Sequence, residues 1–128
     1  MHAEPEHRSI LAVDIQGFGR PERSNPGRAR MRAGLHRILG NAMRAAGIEP
    51  QNVEQSESGD GVLVLLDPQI SKARLLHPLI PRLGSGLARY NRTAPGSERL
   101  RLRVVVHAGE LLQDAHGRTG EDLVLAIS

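Results

Sequence analysis

An apolar run of strand length with a carboxylate set into it constrains this chain more than any other feature. After Ser9 the sequence reads Ile10, Leu11, Ala12, Val13, Asp14, Ile15, and then Gln16-Gly17-Phe18-Gly19. Aliphatic residues at both alternating positions describe a strand buried inside a sheet, because a half-solvated strand would alternate with polar residues. An ionisable group near the end of such a strand is costly to bury unless a partner compensates it. Asp14 is therefore the first candidate for chemistry.

The remaining pattern supplies the architecture. Residues 20–27, RPERSNPG, read as a loop. Met31, Leu35, Ile38, Leu39, Ala42, Met43 and Ala46 recur at helical spacing, and Gly47 suits the left-handed residue that closes a helix. A polar strand from Asn52 to Ser58 meets Gly59-Asp60-Gly61 and then the apolar Val62 to Leu66, a hairpin signal. Ile70 to Tyr90 is helical in period, but Pro78 and Pro81 predict a kink or two short helices. Leu100 to His107 alternate as a strand, residues 114–117 (DAHG) read as a turn, and Glu121 to Ser128 are expected to begin a helix. The order β-α-β-β-α-β is that of an α+β, ferredoxin-like antiparallel sheet with both helices on one face. Its first and third strands are central neighbours, so Asp14 and Asp60 are expected side by side.

Composition narrows the function. The chain has 128 residues, enough for one domain; residues 1–8 are expected to be a disordered N-terminus and 9–128 the domain, with the C-terminal end open to being incomplete. There is no Cys or Trp, and Phe18 and Tyr90 are the only aromatics. Disulfides, thiolate metal sites and thiol nucleophiles are thereby excluded, and stacking on single-stranded nucleic acid lacks its rings. Strictly apolar runs are no longer than Val62 to Leu66, far short of a membrane helix, and the charged N-terminus shows no signal-peptide pattern. The expectation is a cytoplasmic protein with no membrane partner. The net charge is only +3, yet Arg20, Arg23, Arg28, Arg30, Arg32 and Arg37 cluster within one segment. That cluster reads as a solvated face or as a rim attracting phosphate; no helix-turn-helix or finger spacing accompanies it to suggest duplex binding.

Two carboxylates converging at a sheet end repel unless a cation sits between them. A divalent ion such as magnesium resolves this, since it takes oxygen ligands and is shared between one or two carboxylates and substrate phosphates. Gly17 and Gly19 leave backbone amides free to approach a triphosphate, and Gly59 and Gly61 flank Asp60. His107 beside Glu110, and His36 and His77 on helices, have no second histidine at ligand spacing and read as structural or surface residues.

In family order, AVDIQGFGRP, SGDGVLVLL, LRVVVHAGEL and GRTGEDLVLA resemble blocks of the class III nucleotidyl cyclase catalytic domains, over about residues 9–128. The resemblance implies a cyclase or palm-like fold and a site for two Mg2+ or Mn2+ ions held by Asp14, Asp60 and the backbone of Ile15. It also implies triphosphate contacts from Gly17, Phe18, Gly19 and Gly59. Cyclase sites of this family form between two subunits, which implies a homodimer or a heterodimer with a related domain.

The same resemblance exposes departures. Gly19 stands where the family has Thr or Ser. Ser56 and Gly117 stand at base-reading positions, and Val124 and Ser128 replace the Asn that orients the ribose and the Arg that stabilises the transferring phosphate. Neither Asn nor Arg occurs anywhere from Glu121 to Ser128. The expected function is accordingly a cyclase-like domain that binds divalent metal and nucleoside triphosphate, with cyclase activity weak or lost and a regulatory use. The alternatives are an active nucleotidyl cyclase forming a 3′,5′-cyclic nucleotide, and a non-catalytic dimerisation or scaffold module.

Overall fold

The computed structural model describes residues 6–21, 23–111 and 118–128. Five strands form one antiparallel sheet: β1 (Glu6–Ile15), β2 (Val53–Ser58), β3 (Gly61–Leu66), β4 (Leu102–Leu111) and β5 (Arg118–Ile127). Their spatial order is β2-β3-β1-β4-β5, so β1 lies between β3 and β4 as its composition predicts. Helices α1 (Asn25–Ala45), α2 (Lys72–Arg74) and α3 (Ile80–Thr93) supply the second layer.

Period two in the strands decides what is covered. Leu11, Val13 and Ile15 of β1, Val62, Val64 and Leu66 of β3, and Leu102, Val104 and Val106 of β4 are buried in one cluster with Met31, Leu35, Ile38 and Leu39 of α1 and Leu83 and Leu87 of α3. Each such side chain contributes about 1.5–3 kcal/mol of burial. The opposite sheet face carries Ala12, Asp14, Leu63, Arg103 and Val105, none of them fully buried. Both main helices therefore pack on one face, and Asp14 opens onto the other.

Helix α1 starts earlier than its apolar period suggests. The Ser24 hydroxyl caps it by accepting from the Gly27 amide at 3.1 Å, and Pro26 occupies the first turn. That turn has no need of proline's missing N–H, so a segment that reads as loop is helical from Asn25. At the other end Gly47 takes φ +72, its amide donating to the Arg44 carbonyl and that of Ile48 to Met43, a Schellman closure.

The expected kink is present. The run from Lys72 passes through a π-type turn, Leu75–Leu79, in which His77 leaves helical geometry at φ −143 and ψ 113. A residue preceding proline is driven from the helical region, and Pro78 does this to His77.

Strand boundaries differ from the sequence expectation as well, β4 running to Leu111 rather than His107. Strand β1 opens at Glu6, paired with Leu111, ahead of the apolar run. The segment after Gly120 is not the start of a helix: Arg118–Ile127 is strand β5, antiparallel to β4 throughout its length. Leu125 and Ile127 pack against the core while Val124 before them is 52% exposed and Ala126 between them is exposed too, a period-two pattern that a helix cannot produce. The turn expected at residues 114–117 lies outside the described residues.

Candidate metal and triphosphate site

The sheet register brings the two aspartates together. Asp14 on β1 stands opposite Gly61 of β3 on one side and Arg103 of β4 on the other. Gly59 and Asp60 form the two-residue turn between β2 and β3, closed by the Ser58–Gly61 pair. The Ile15 amide donates to the Asp60 carbonyl at 2.8 Å, stitching that turn to the end of β1. Ile15 keeps its side chain in the core, so only its backbone can serve the site.

Gly61 is required by this approach. A Cβ there would lie 2.3 Å from the Val13 carbonyl oxygen, 2.5 Å from Asp14 Oδ1 and 3.1 Å from Asp14 Cα. Gly59 by contrast faces open space. The Asp14 carboxyl is pushed above its ordinary value by burial first and by the charge of Asp60 second, while Arg103 pulls it back. The two carboxylates thus feel each other electrostatically, the condition that a divalent cation relieves.

A second group of contacts secures the loops around the pair. Residues 16–19 turn away from β1, with Gly17 at φ +67 and the Gln16 amide donating to the Arg101 carbonyl at 2.8 Å. Arg28 of α1 donates to the carbonyls of Phe18 (3.1 Å) and Arg20 (2.8 Å). One turn further along α1, Arg32 donates to the Gly59 carbonyl at 2.9 Å and lies 5.4 Å from the Phe18 ring centroid. A single guanidinium thereby joins both loops that flank the carboxylates. No atom would crowd a Cβ at Gly19, so the hydroxyl residue of the cyclase pattern is absent for a reason other than space.

The other sequence candidates are spread more widely. Ser56 is exposed on β2 opposite Leu63, one pleat repeat from the Asp14 row and on the same sheet face. Val124 of β5 pairs with Val105 of β4 and Ser128 follows β5, so neither lies on the helix expected over Glu121 to Ser128. Gly117 lies outside the described residues. His36 Nε2 reaches Glu57 Oε1 at 2.9 Å, fixing α1 to the edge strand β2, and His77 is exposed at the kink. His107 is half-buried on β4 opposite Ile10. Among the described residues no three His, Asp or Glu side chains gather as a metal cluster, so any ion would rest on two carboxylates with oxygen ligands from backbone and phosphate.

Sequence reading named Arg28 and Arg32 only as members of a basic cluster, without their contacts to the two loops, and gave Arg103 no role at the site. The signals were available: Arg28 and Arg32 are four apart on one helix face, and period two places Arg103 on the same sheet face as Asp14.

Comparison with solved structures decides the fold. A guanylyl cyclase crystal structure superposes with a TM-score of 0.66 at 18% identity, covering 96% of this chain and 66% of that one. A bacterial light-regulated adenylyl cyclase gives 0.68 at 13% identity, covering 98% and 65%. The guanylate cyclase domain of a protein from Catenaria anguillulae, solved in complex with GTP, gives 0.57 at 14% identity, covering 98% and 69%. The fold is that of the class III nucleotidyl cyclase domains. This cyclase-like chain spans about two thirds of the length of those neighbours. Its sequence matches no protein-family model and no curated protein sequence. None of the described helices is long and apolar enough to cross a membrane.

Proposed function

We propose that this cyclase-like domain binds a divalent ion, Mg2+ or Mn2+, and through it a nucleoside triphosphate, with cyclising activity weak or lost and a regulatory role. The observation that carries the reading is the cross-strand approach of Asp14 and the Asp60 turn, which tolerates only glycine at position 61. Asp14, Asp60 and the Ile15 backbone would hold the metal; the amides of Gly17, Phe18, Gly19 and Gly59 would meet phosphate oxygens, and Ser56 would face the base. The ion would offset the two carboxylate charges and bridge phosphate oxygens.

Weak turnover follows from what stands near the phosphate. Catalysis of phosphoryl transfer relies on positioning and on cations that stabilise developing charge; loss of such an arginine costs on the order of a thousandfold. The segment paired by resemblance with the family's Asn and Arg has neither, and its strand conformation withdraws the helix that would present them. One observation favours the second reading, an active cyclase: Arg103 places a guanidinium on the carboxylate face beside Asp14. For the assembly, Leu63, Ala12, Val105 and Val124 form an apolar row across that same open face, with Leu63 43% and Val124 52% exposed, which suits pairing with a second copy or a related domain.

Incubation with Mg2+ or Mn2+ and each of ATP, GTP, CTP and UTP tests these readings together. Metal-dependent nucleotide binding without cyclic product, lost in Asp14→Ala and Asp60→Ala, is expected. Cyclic product that disappears in either variant would establish the second reading instead. Absence of any metal-dependent nucleotide binding would leave a non-catalytic dimerisation module.

A further inference from the structure

The arginine-rich segment divides between two places. Arg28 and Arg32 are used by the loops of the carboxylate site, whereas Arg30 and Arg37 point to the other side of α1, into the groove between α1 and α3. Two adjoining hollows line that groove, one of about 280 Å³ and one of about 390 Å³, and both are bordered by Arg37, Tyr90 and Thr93. Arg89, Asn41 and Ile38 also border the first, Arg30, Ala33 and Glu98 the second.

The charges there are unbalanced. Among the described residues Glu98 is the only acidic one bordering either hollow, and Arg30 holds both its oxygens, at 2.8 and 2.7 Å. Arg37 and Arg89 border the same hollow and make no hydrogen bond or ion pair with the described residues. Two guanidinium groups facing one space repel, and a dianion with several acceptor oxygens, such as a phosphate, relieves this best. The floor is fixed in advance. Tyr90 donates to the Glu98 carbonyl at 3.0 Å, and its ring packs so closely on Gly34 that a Cβ there would lie 2.5 Å from Cε2. Neither helix can close the groove without displacing that ring.

We infer that the α1–α3 groove is a second, metal-independent site for a small phosphomonoester, its phosphate held by Arg37 and Arg89 with the Thr93 hydroxyl, and its body lying in the hollow over Tyr90. The site lies on the helical layer, on the other side of the sheet from Asp14 and Asp60, and does not depend on the metal reading. Phosphate recognition by paired arginines supplies affinity, and the apolar hollow distinguishes an organic phosphate from the inorganic ion.

The test is a titration in EDTA, followed by amide chemical shifts, with inorganic phosphate, glycerol phosphate and a nucleoside monophosphate as probes. Saturable shifts are expected at Arg37, Arg89, Tyr90 and Thr93, with the organic esters binding at least fivefold tighter than phosphate. Arg37→Gln with Arg89→Gln should weaken them at least tenfold while leaving the spectrum otherwise folded. Asp60→Asn should leave them unchanged. Shifts that survive the double variant, that centre on Gly17 to Gly19, or that spread over all arginines without saturation overturn the assignment. So does a short polyglutamate peptide that shifts these resonances when the phosphomonoesters do not, since the groove would then serve an acidic protein segment.

Discussion

Replacing Gly61 with alanine puts the geometry of the carboxylate pair under direct strain. The added methyl would sit 2.3 Å from a backbone carbonyl oxygen and 3.1 Å from a backbone carbon of β1, where no side-chain rotation can make room. Overpacking in a rigid setting costs about 1–3 kcal/mol, and contacts this short with backbone atoms belong at the upper end, about 3 kcal/mol. Alanine's better strand propensity returns about 0.5–1 kcal/mol, leaving a net loss of about 2 kcal/mol. With a urea dependence of about 1.5 kcal/mol per molar, the unfolding midpoint should fall by about 1.3 M. The third close atom is Asp14 Oδ1 at 2.5 Å, so the variant should also lose Mn2+ affinity beyond its loss of stability. Gly59→Ala is the internal control: its Cβ meets nothing within 4 Å, and the midpoint should move by no more than about 0.5 kcal/mol equivalent. Equal behaviour of the two variants would refute the cross-strand packing from which the site is built.

Four further outcomes follow. Arg32→Ala should weaken Mn2+ binding in calorimetry several-fold, and Arg32→Lys should restore part of it, because an ammonium can still donate to the Gly59 carbonyl while the planar contact over Phe18 is lost; equal loss in both would show that the hydrogen bond to the Gly59 loop plays no part. The Asp14 carboxyl is raised above 3.8 by burial and by Asp60, so the folded state holds its proton more tightly than the unfolded one and metal-free stability should decline as pH rises through that window. Asp14→Asn should therefore raise the metal-free unfolding midpoint at neutral pH, an advantage that vanishes below 3.8 and that Mn2+ reverses; a variant less stable at neutral pH contradicts this sign. Ser24→Ala should cost about 1 kcal/mol in chemical unfolding through loss of the α1 cap, whereas Ser24→Asp should not.

How much of this was readable in advance depends on periodicity and its limits. The central position of β1 and the pairing of Asp14 with the Asp60 turn were legible because an unbroken apolar strand and a Gly-Asp-Gly hairpin each admit few placements. Strand β5 was not, since Gly120 to Ile127 holds apolar residues at both alternating positions; pairing with β4, which the local sequence does not specify, selects strand over helix. The arginine contacts were hidden by the boundary of α1. With Pro26 read as loop, Arg28 precedes the helix; with Pro26 in the first turn, Arg28 and Arg32 share a face and point at the two loops. Gly61 looked like turn chemistry, and its actual constraint, the closeness of β1, exists only in the folded sheet.

The most direct test of the central claim is a calorimetric or electron-paramagnetic titration of Mn2+ with and without a non-hydrolysable nucleoside triphosphate, on the unaltered protein and on Asp60→Asn. A metal site formed by Asp14 and Asp60 predicts saturable Mn2+ binding that tightens with the triphosphate and falls at least tenfold in the variant. Mn2+ binding of equal strength in both proteins, or none at millimolar concentration in either, would contradict it.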